Sequence, residues 1–125
     1  MNVYPALRYH DARAAIDWLC EAFGFSEKQV DSGEDGAIAH AELHVPGGGV
    51  VMLSSEPEGG DPRWGAHAGQ SWIYIAIENP DALYDRATAA GAKIVMELTD
   101  TDYGSRDFSA RDPEGNLWSF GTYAP

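Results

Sequence analysis

Three ionisable side chains, His40, Glu42 and His44, alternate along a short segment in the first half of the chain. In an extended strand, next-but-one residues point to the same face about 6.5–7 Å apart. Two imidazoles and a carboxylate suit zinc, but the outer pair would be roughly 13 Å apart, so at most two of them can share one ion. The pattern therefore favours a solvated or pocket-lining role over a metal site. Within it, His40 and then Glu42 are the candidates for proton transfer, because imidazole titrates nearest to neutral pH.

Other reactive side chains give weaker signals. Cys20 falls on the apolar stripe of a predicted helix, where a buried, unreactive thiol is expected. Arg106 and Arg111 flank the last predicted hairpin; Arg111 can pair with acids of the turn that begins at Asp112, and Arg106 can equally orient a ligand carboxylate. The sequence contains no phosphate-binding loop and no dinucleotide-binding glycine pattern.

Two helices of similar design must position these residues. The first is predicted between an N-cap at Asp11 and a stop at Gly24, and the second between an N-cap at Asn79, followed by Pro80, and a stop at Gly91. A shift of 67 residues superposes Ile16 on Leu83, Cys20 on Ala87 and Gly24 on Gly91. The sequence therefore contains a weak internal repeat.

Strands are predicted around each helix, in the order βαβββ twice. The clearest are Gly36–Val45 and Val50–Ser54, joined by a glycine-rich turn, then a strand through Trp72–Ile77, and finally Lys93–Leu98, Phe108–Arg111 and Leu117–Tyr123. The fold class is thus α+β, two βαβββ modules forming a curved mixed sheet around a cavity. We expect one domain over residues 1–125, with a first module at about 1–56, a linker at about 57–69 and a second module at about 70–125.

In the strand through Trp72–Ile77, alternation places isoleucines on one face and large aromatic residues on the other. Ile73, Ile75 and Ile77 fall on one face, which we expect to pack under a helix because three aligned isoleucines are unfavourable in water. Trp72 and Tyr74 fall on the other face and are predicted to line the cavity. The alternative is that these aromatic rings fill a core or a subunit interface.

Composition excludes several classes of function. Eight Lys and Arg against 20 Asp and Glu give a net charge of −12 in 125 residues, which disfavours nucleic-acid binding and attracts cations. The single cysteine excludes an intramolecular disulfide, and no apolar stretch is long enough to span a membrane. Because the N-terminal residues also show no signal-peptide pattern, we expect a cytoplasmic protein.

Several motifs resemble those of one family. Residues 4–12 (YPALRYHDA), Trp18, residues 23–25 (FGF) and residues 40–44 (HAELH) are similar to glyoxalase-like proteins, and residues 103–116 (YGSRDFSARDPEGN) closely resemble a run in bleomycin-resistance proteins. The chain is thereby identified, over nearly its whole length, as a member of the vicinal oxygen chelate superfamily, which includes glyoxalase I, extradiol dioxygenases and bleomycin-resistance proteins.

The chain differs from the metal-dependent members of this family at the positions of their metal ligands. Metal-dependent members hold one divalent ion with four His or Glu ligands, and the matching positions here are Tyr4, Met52, Trp72 and Ser119. None of these is a good ligand for such an ion, so the resemblance implies neither metal nor other cofactor. Aromatic and polarisable side chains replace the metal, and Trp64 and Tyr103 lie in loops at the mouth of the cavity.

These observations predict a metal-independent binding protein that sequesters a small planar or cationic molecule, antibiotic-like in the sense of the bleomycin-resistance proteins. The predicted ligand-binding residues are Tyr4, Met52, Trp64, Trp72, Tyr74, Tyr103, Arg106 and Ser119. The alternatives are a metal-dependent lyase or dioxygenase with relocated ligands, and a metal-free isomerase with His40 or Glu42 as its base. Similar superfamily members pair two chains to complete two clefts, which implies a homodimer here.

Overall fold

The computed structural model describes residues 1–59 and 68–125. The first half contains β1 (Ala6–Tyr9), α1 (Ala12–Phe23), β2 (Ser26–Ser32), a 3₁₀ turn (Glu34–Gly36), β3 (Ile38–His44) and β4 (Val50–Ser55). The second half contains β5 (Trp72–Ala76), α2 (Pro80–Ala89), β6 (Lys93–Asp100), β7 (Arg106–Arg111) and β8 (Leu117–Gly121). This is the predicted βαβββ order, twice.

Each half forms its own four-stranded mixed sheet. The strand orders are β1-β4-β3-β2 and β5-β8-β7-β6, so the same arrangement recurs in both halves. In each, the first strand pairs in parallel with the last, and the other pairings are antiparallel. The predicted fold class is confirmed, with two sheets where the sequence suggested one surface.

Both helices begin and end where the sequence predicts. The Oδ1 atoms of Asp11 and Asn79 accept hydrogen bonds from the backbone N–H of Ala14 and Ala82, at 3.1 and 3.2 Å. Gly24 follows α1 with φ of 74°, and Gly91 lies just beyond α2 with φ of 84°. These side-chain caps and left-handed glycines satisfy backbone groups that have no partner inside the helix.

One strand, β2, had no clear signal in the sequence. It reads Ser-Glu-Lys-Gln-Val-Asp-Ser, and only Val30 is even partly buried. It lies at the edge of the first sheet and pairs only with β3, with two irregularities in register. Alternation of apolar and polar residues reports a half-buried face, and this strand has none.

The two halves share one aromatic core. Phe23, at the end of α1, contacts the rings of Trp118 and Phe120 from β8, with centroids 5.8 and 4.8 Å apart. Phe25 contacts Trp118 at 5.6 Å. Arg86 of α2 reinforces the junction, because its guanidinium donates hydrogen bonds to the carbonyls of Cys20 and Glu21 at the end of α1. Neither half therefore buries its aromatic residues alone.

A buried carboxylate forms a second junction between the halves. Asp112, in the turn between β7 and β8, accepts hydrogen bonds from the phenol of Tyr9 at 2.5 Å and the indole N–H of Trp118 at 3.0 Å. It also accepts bonds from the backbone N–H of Glu114 and from the backbone and side-chain nitrogens of Asn116. Burial, and then the charge of Asp112, raise the pKa of the Tyr9 phenol far above its usual value, so Tyr9 remains a donor.

No helix among residues 1–59 and 68–125 combines the length and apolar character needed to cross a bilayer.

The positive φ of Gly24 and Gly91 leads to a prediction about stability. Gly24→Ala and Gly91→Ala should each lower the free energy of unfolding by about 1 kcal/mol, because alanine resists positive φ. Around Gly91 no heavy atom lies within 4 Å of an added Cβ, so the cost there is one of backbone conformation alone. Gly91→Asn, the control, should cost less because Asn tolerates this conformation. Urea denaturation measures all three, and unchanged midpoints would contradict the assigned helix ends.

The Tyr9–Asp112 bond makes a pH prediction. The pKa of Tyr9 is raised in the folded state relative to about 10 in the unfolded chain. The stabilisation that comes from the raised pKa of Tyr9 is therefore fully present below pH ~10. As the pH rises further it is lost, and the free energy of unfolding falls by at most about 1.4 kcal/mol per pH unit. Tyr9→Phe should lose about 1–3 kcal/mol at neutral pH and show a shallower decline in alkali. Urea denaturation of both proteins from pH ~8 to ~11 tests this; parallel declines would contradict it.

Candidate ligand-binding face

The second sheet has one face covered by helix and core and one that is not. Its register places three rows on the uncovered side: Trp72 with Leu117 and Arg111, Tyr74 with Ser119 and Ser109, and Ala76 with Gly121 and Asp107. We call this side the open face of the second sheet. Ile73, Ile75 and Ile77 lie on the opposite side and pack against the core, as predicted.

Trp72 is the most prominent apolar group on the open face. It is 74% exposed, yet its indole N–H donates a 3.0 Å hydrogen bond to Oγ of Ser119. Ser119 in turn shares a 2.7 Å hydrogen bond with Ser109. The indole is therefore oriented by the sheet while much of its surface remains in water, an arrangement suited to stacking against a flat ligand.

Two rows away from Trp72 on the same face, a second cluster contains Asp107 and three tyrosines. Asp107 is 6% exposed and accepts hydrogen bonds from the hydroxyls of Ser105 and Tyr103, the latter at 2.8 Å. The phenol of Tyr74 donates to the carbonyl of Tyr123 at 2.7 Å. The hydrogen bond to Asp107 raises the pKa of Tyr103, and burial raises that of Tyr74, so both phenols stay protonated.

A glycine makes room for this cluster. At Gly121 a Cβ atom would overlap Oδ1 of Asp107 and lie 2.7 Å from the phenolic oxygen of Tyr74. Sequence reasoning missed Asp107, Ser109 and Tyr123 as members of the open face. The sequence predicts a strand that begins at Phe108, whereas β7 begins at Arg106, so the predicted alternation does not include Asp107.

The open face of the first sheet has different chemistry. His40 Nε2 and Glu42 Oε2 are 2.8 Å apart, and Lys28 Nζ lies 3.0 Å from Glu42 Oε1. The hydrogen bond with His40, followed by that with Lys28, lowers the pKa of Glu42. Met52 lies in register with Glu42 on the same face, and His44 is exposed. This strand face is therefore ionic and partly exposed.

The four positions that match the family's metal ligands do not form a suitable donor set. Trp72 and Ser119 contact each other directly on the second sheet, whereas Tyr4 and Met52 belong to the first half. An indole, a thioether, a phenol and a serine hydroxyl do not fit the imidazole and carboxylate chemistry of a divalent ion. Among residues 1–59 and 68–125, no three or more His, Cys, Asp or Glu side chains come together in a way that could hold a metal.

The other predicted residues have different surroundings. Arg106 points to the helix side, where it forms a two-point salt bridge with Asp81 and a third contact with Asp100. Arg111 donates to the carbonyl of Gly115 and not to an acid of its turn. Trp64 lies outside the described residues. Tyr103, in the turn after β6, is 63% exposed and does reach the cluster.

A groove of about 890 Å³ lies elsewhere, where the two halves meet beside the ends of α1 and β8. Its walls are mainly apolar, and Arg86 is the cation in them. It contains none of the aromatic residues of the open face. The groove and the open face of the second sheet are therefore two separate features of the surface.

Comparison with known proteins places the chain among relatives of the same design. A family model described as the glyoxalase/bleomycin resistance protein/dioxygenase superfamily matches residues 3–120. Mb0911c of Mycobacterium bovis and Rv0887c of Mycobacterium tuberculosis are each 35% identical to the chain over 97% of its length, covering 85% and 76% of those proteins.

Solved structures agree with the sequence relatives. TioX from Micromonospora sp. ML1 is 34% identical, with a TM-score of 0.81 and 99% of each chain covered. A glyoxalase/bleomycin resistance protein from Catenulispora acidiphila is 21% identical, with a TM-score of 0.71 and coverage of 97% and 96%, and it supports the fold alone.

Proposed function

Because this chain belongs to the glyoxalase/bleomycin resistance protein/dioxygenase superfamily, we propose that it binds and sequesters a small planar or cationic molecule without using a metal. The observation that carries this proposal is Trp72, an exposed indole held in place by Ser119 at a position where metal-dependent relatives hold a ligand of their ion. Stacking on such a ring suits any flat ligand.

Charge supports the same class of ligand. The chain has a net charge of −12, which raises the local concentration of cations and accelerates their association. Aromatic rings beside a buried carboxylate add cation–π attraction at short range. The resemblance to bleomycin-resistance proteins supports sequestration in preference to turnover.

A relocated metal site is the main alternative. Elemental analysis of the purified, dialysed protein separates the two functions. Our proposal expects only traces of nickel, zinc, iron and manganese, whereas one bound ion per chain would contradict it.

Assembly of two chains is part of the proposal. In the single chain the open face exposes Trp72, Tyr74 and Tyr103, and β1 and β5 each pair with only one strand among the described residues. A second copy that covers this face would enclose the ligand between two chains. We therefore propose a twofold homodimer whose interface borders both ligand sites.

Light scattering tests the dimer. At micromolar concentration we expect a particle of twice the chain mass of 13.5 kDa. Trp72→Asp should shift the particle toward the single-chain mass, because it places a charge in the covered face. A wild-type particle that remains at 13.5 kDa would contradict the shared site.

Binding tests the role of Trp72. Trp72→Ala should bind the planar cation N-methylacridinium more weakly by about 1–3 kcal/mol, a factor of roughly 5 to 150, because one stacking surface is lost. Fluorescence titration measures the affinity.

Ile75→Ala is the matched control for this experiment. It removes volume from the core side of the same strand, so it should lower the melting temperature more than Trp72→Ala does. If Trp72→Ala unfolds the protein while leaving the affinity unchanged, Trp72 belongs to the core and our assignment is wrong.

A further inference from the structure

Asp107 has an unusual environment for a buried carboxylate. Acidic side chains are almost never fully buried unless they are paired with a cation, because the charged form loses its hydration. Asp107 is 6% exposed, and no salt bridge joins it to any Lys, Arg or His in the parts of the chain that the structure describes. Arg106, its neighbour in sequence, points to the other side of the sheet toward Asp81.

Among residues 1–59 and 68–125, the hydrogen bonds to this carboxylate come from hydroxyl groups. Ser105 donates to Oδ1 and Tyr103 donates to Oδ2 at 2.8 Å. A carboxylate has about four acceptor positions, so capacity remains on both oxygens. Neutral donors orient the group without cancelling its charge. The carboxylate is thus held in place beneath the open face, with no basic side chain of the described residues in a salt bridge to it.

Three tyrosines belong to the same cluster. The rings of Tyr103 and Tyr123 stand at 89° to each other with centroids 6.2 Å apart, forming two walls of a corner. Tyr74 forms the third side, and its phenol is fixed by the carbonyl of Tyr123. The backbone N–H of Tyr123 donates to Ser105 at 3.0 Å, which ties this wall to the carboxylate's own partner. We call Asp107 with Tyr74, Tyr103 and Tyr123 the tyrosine box.

We infer that the tyrosine box binds an alkylated ammonium group, tertiary or quaternary, carried by the ligand that stacks on Trp72. This inference rests on the proposed function and names the chemical group that the site selects. Aromatic walls attract such a cation through their negative ring faces without requiring hydrogen bonds. Asp107 supplies the compensating charge.

The geometry favours ammonium over guanidinium. A guanidinium binds a carboxylate through two parallel N–H bonds, one to each oxygen. Here Ser105 and Tyr103 already occupy one acceptor position on each oxygen of Asp107, so a guanidinium would have to fit both of its N–H bonds into the positions that remain. A rounded alkylammonium needs no such fork and fills a corner between rings.

Two matched probes test the inference by isothermal titration calorimetry. One is naphthalene bearing a trimethylammoniomethyl group; the other bears a neopentyl group, in which carbon replaces the charged nitrogen. The wild-type protein should bind the charged probe about tenfold or more tightly than the neutral one at physiological salt. Asp107→Asn should reduce this preference to about twofold while leaving the neutral probe's affinity nearly unchanged.

Two further substitutions separate the box from general electrostatics and from misfolding. Asp102→Asn removes the same charge from an exposed position of the neighbouring turn and should keep the preference. Tyr103→Leu alters an exposed wall, so it tests the box even where Asp107→Asn disturbs folding; it should lose most of the preference, and Tyr103→Phe should restore most of it.

The outcomes distinguish the two proposals. If both probes bind the wild-type protein equally well, the tyrosine box is wrong while binding of planar molecules stands. If Asp107→Asn and Asp102→Asn lower the preference equally, the long-range charge of the protein explains it and the box is again wrong. If neither probe binds, both the box and the proposed function fail.

Discussion

The carboxylate of Asp112 is the constraint on which much of the structure depends. It accepts hydrogen bonds from Tyr9 of the first half and from Trp118, Asn116 and the turn backbone of the second. The neighbouring Glu114 accepts two more, from the backbone N–H groups of His10 and Asp11 at the entry to α1. This turn therefore fixes both the start of the first helix and the path of β8. Because β8 carries Ser119 and Gly121, the shape of the open face follows from a polar network that lies outside it.

The repeated scaffold supports two faces of unlike character. In the first sheet, His40, Glu42 and Lys28 satisfy one another as a surface ionic group. In the second sheet, the described partners of Asp107 are hydroxyl groups, and aromatic rings stand where the first sheet has basic side chains. Identical strand order thus does not imply equivalent chemistry.

Short-range sequence patterns predicted the helices and strands better than they predicted the residues of the candidate site. Capping residues such as Asp11 and Asn79, and the glycines after the helices, act through bonds to near neighbours, so their effect can be read from the sequence. Strict alternation separated Trp72 from the three isoleucines that pack against the core. Arg106, by contrast, is placed by an acid 25 positions away in α2, and Asp107 is enclosed by tyrosines from three separate segments. Such contacts depend on how the sheet and the C-terminal residues meet, which no local pattern records.

The shared aromatic core has a consequence for how such a chain arises. A polypeptide with only the first half would expose Phe23 and Phe25, and one with only the second half would expose Trp118 and Phe120. An ancestral single-module protein would therefore have needed a second copy of itself to become stable, at a concentration set by the cell. Tandem duplication of its gene makes that encounter intramolecular and so independent of concentration. Once two copies are fused they are free to diverge, and the ionic face of the first sheet beside the aromatic face of the second shows such divergence.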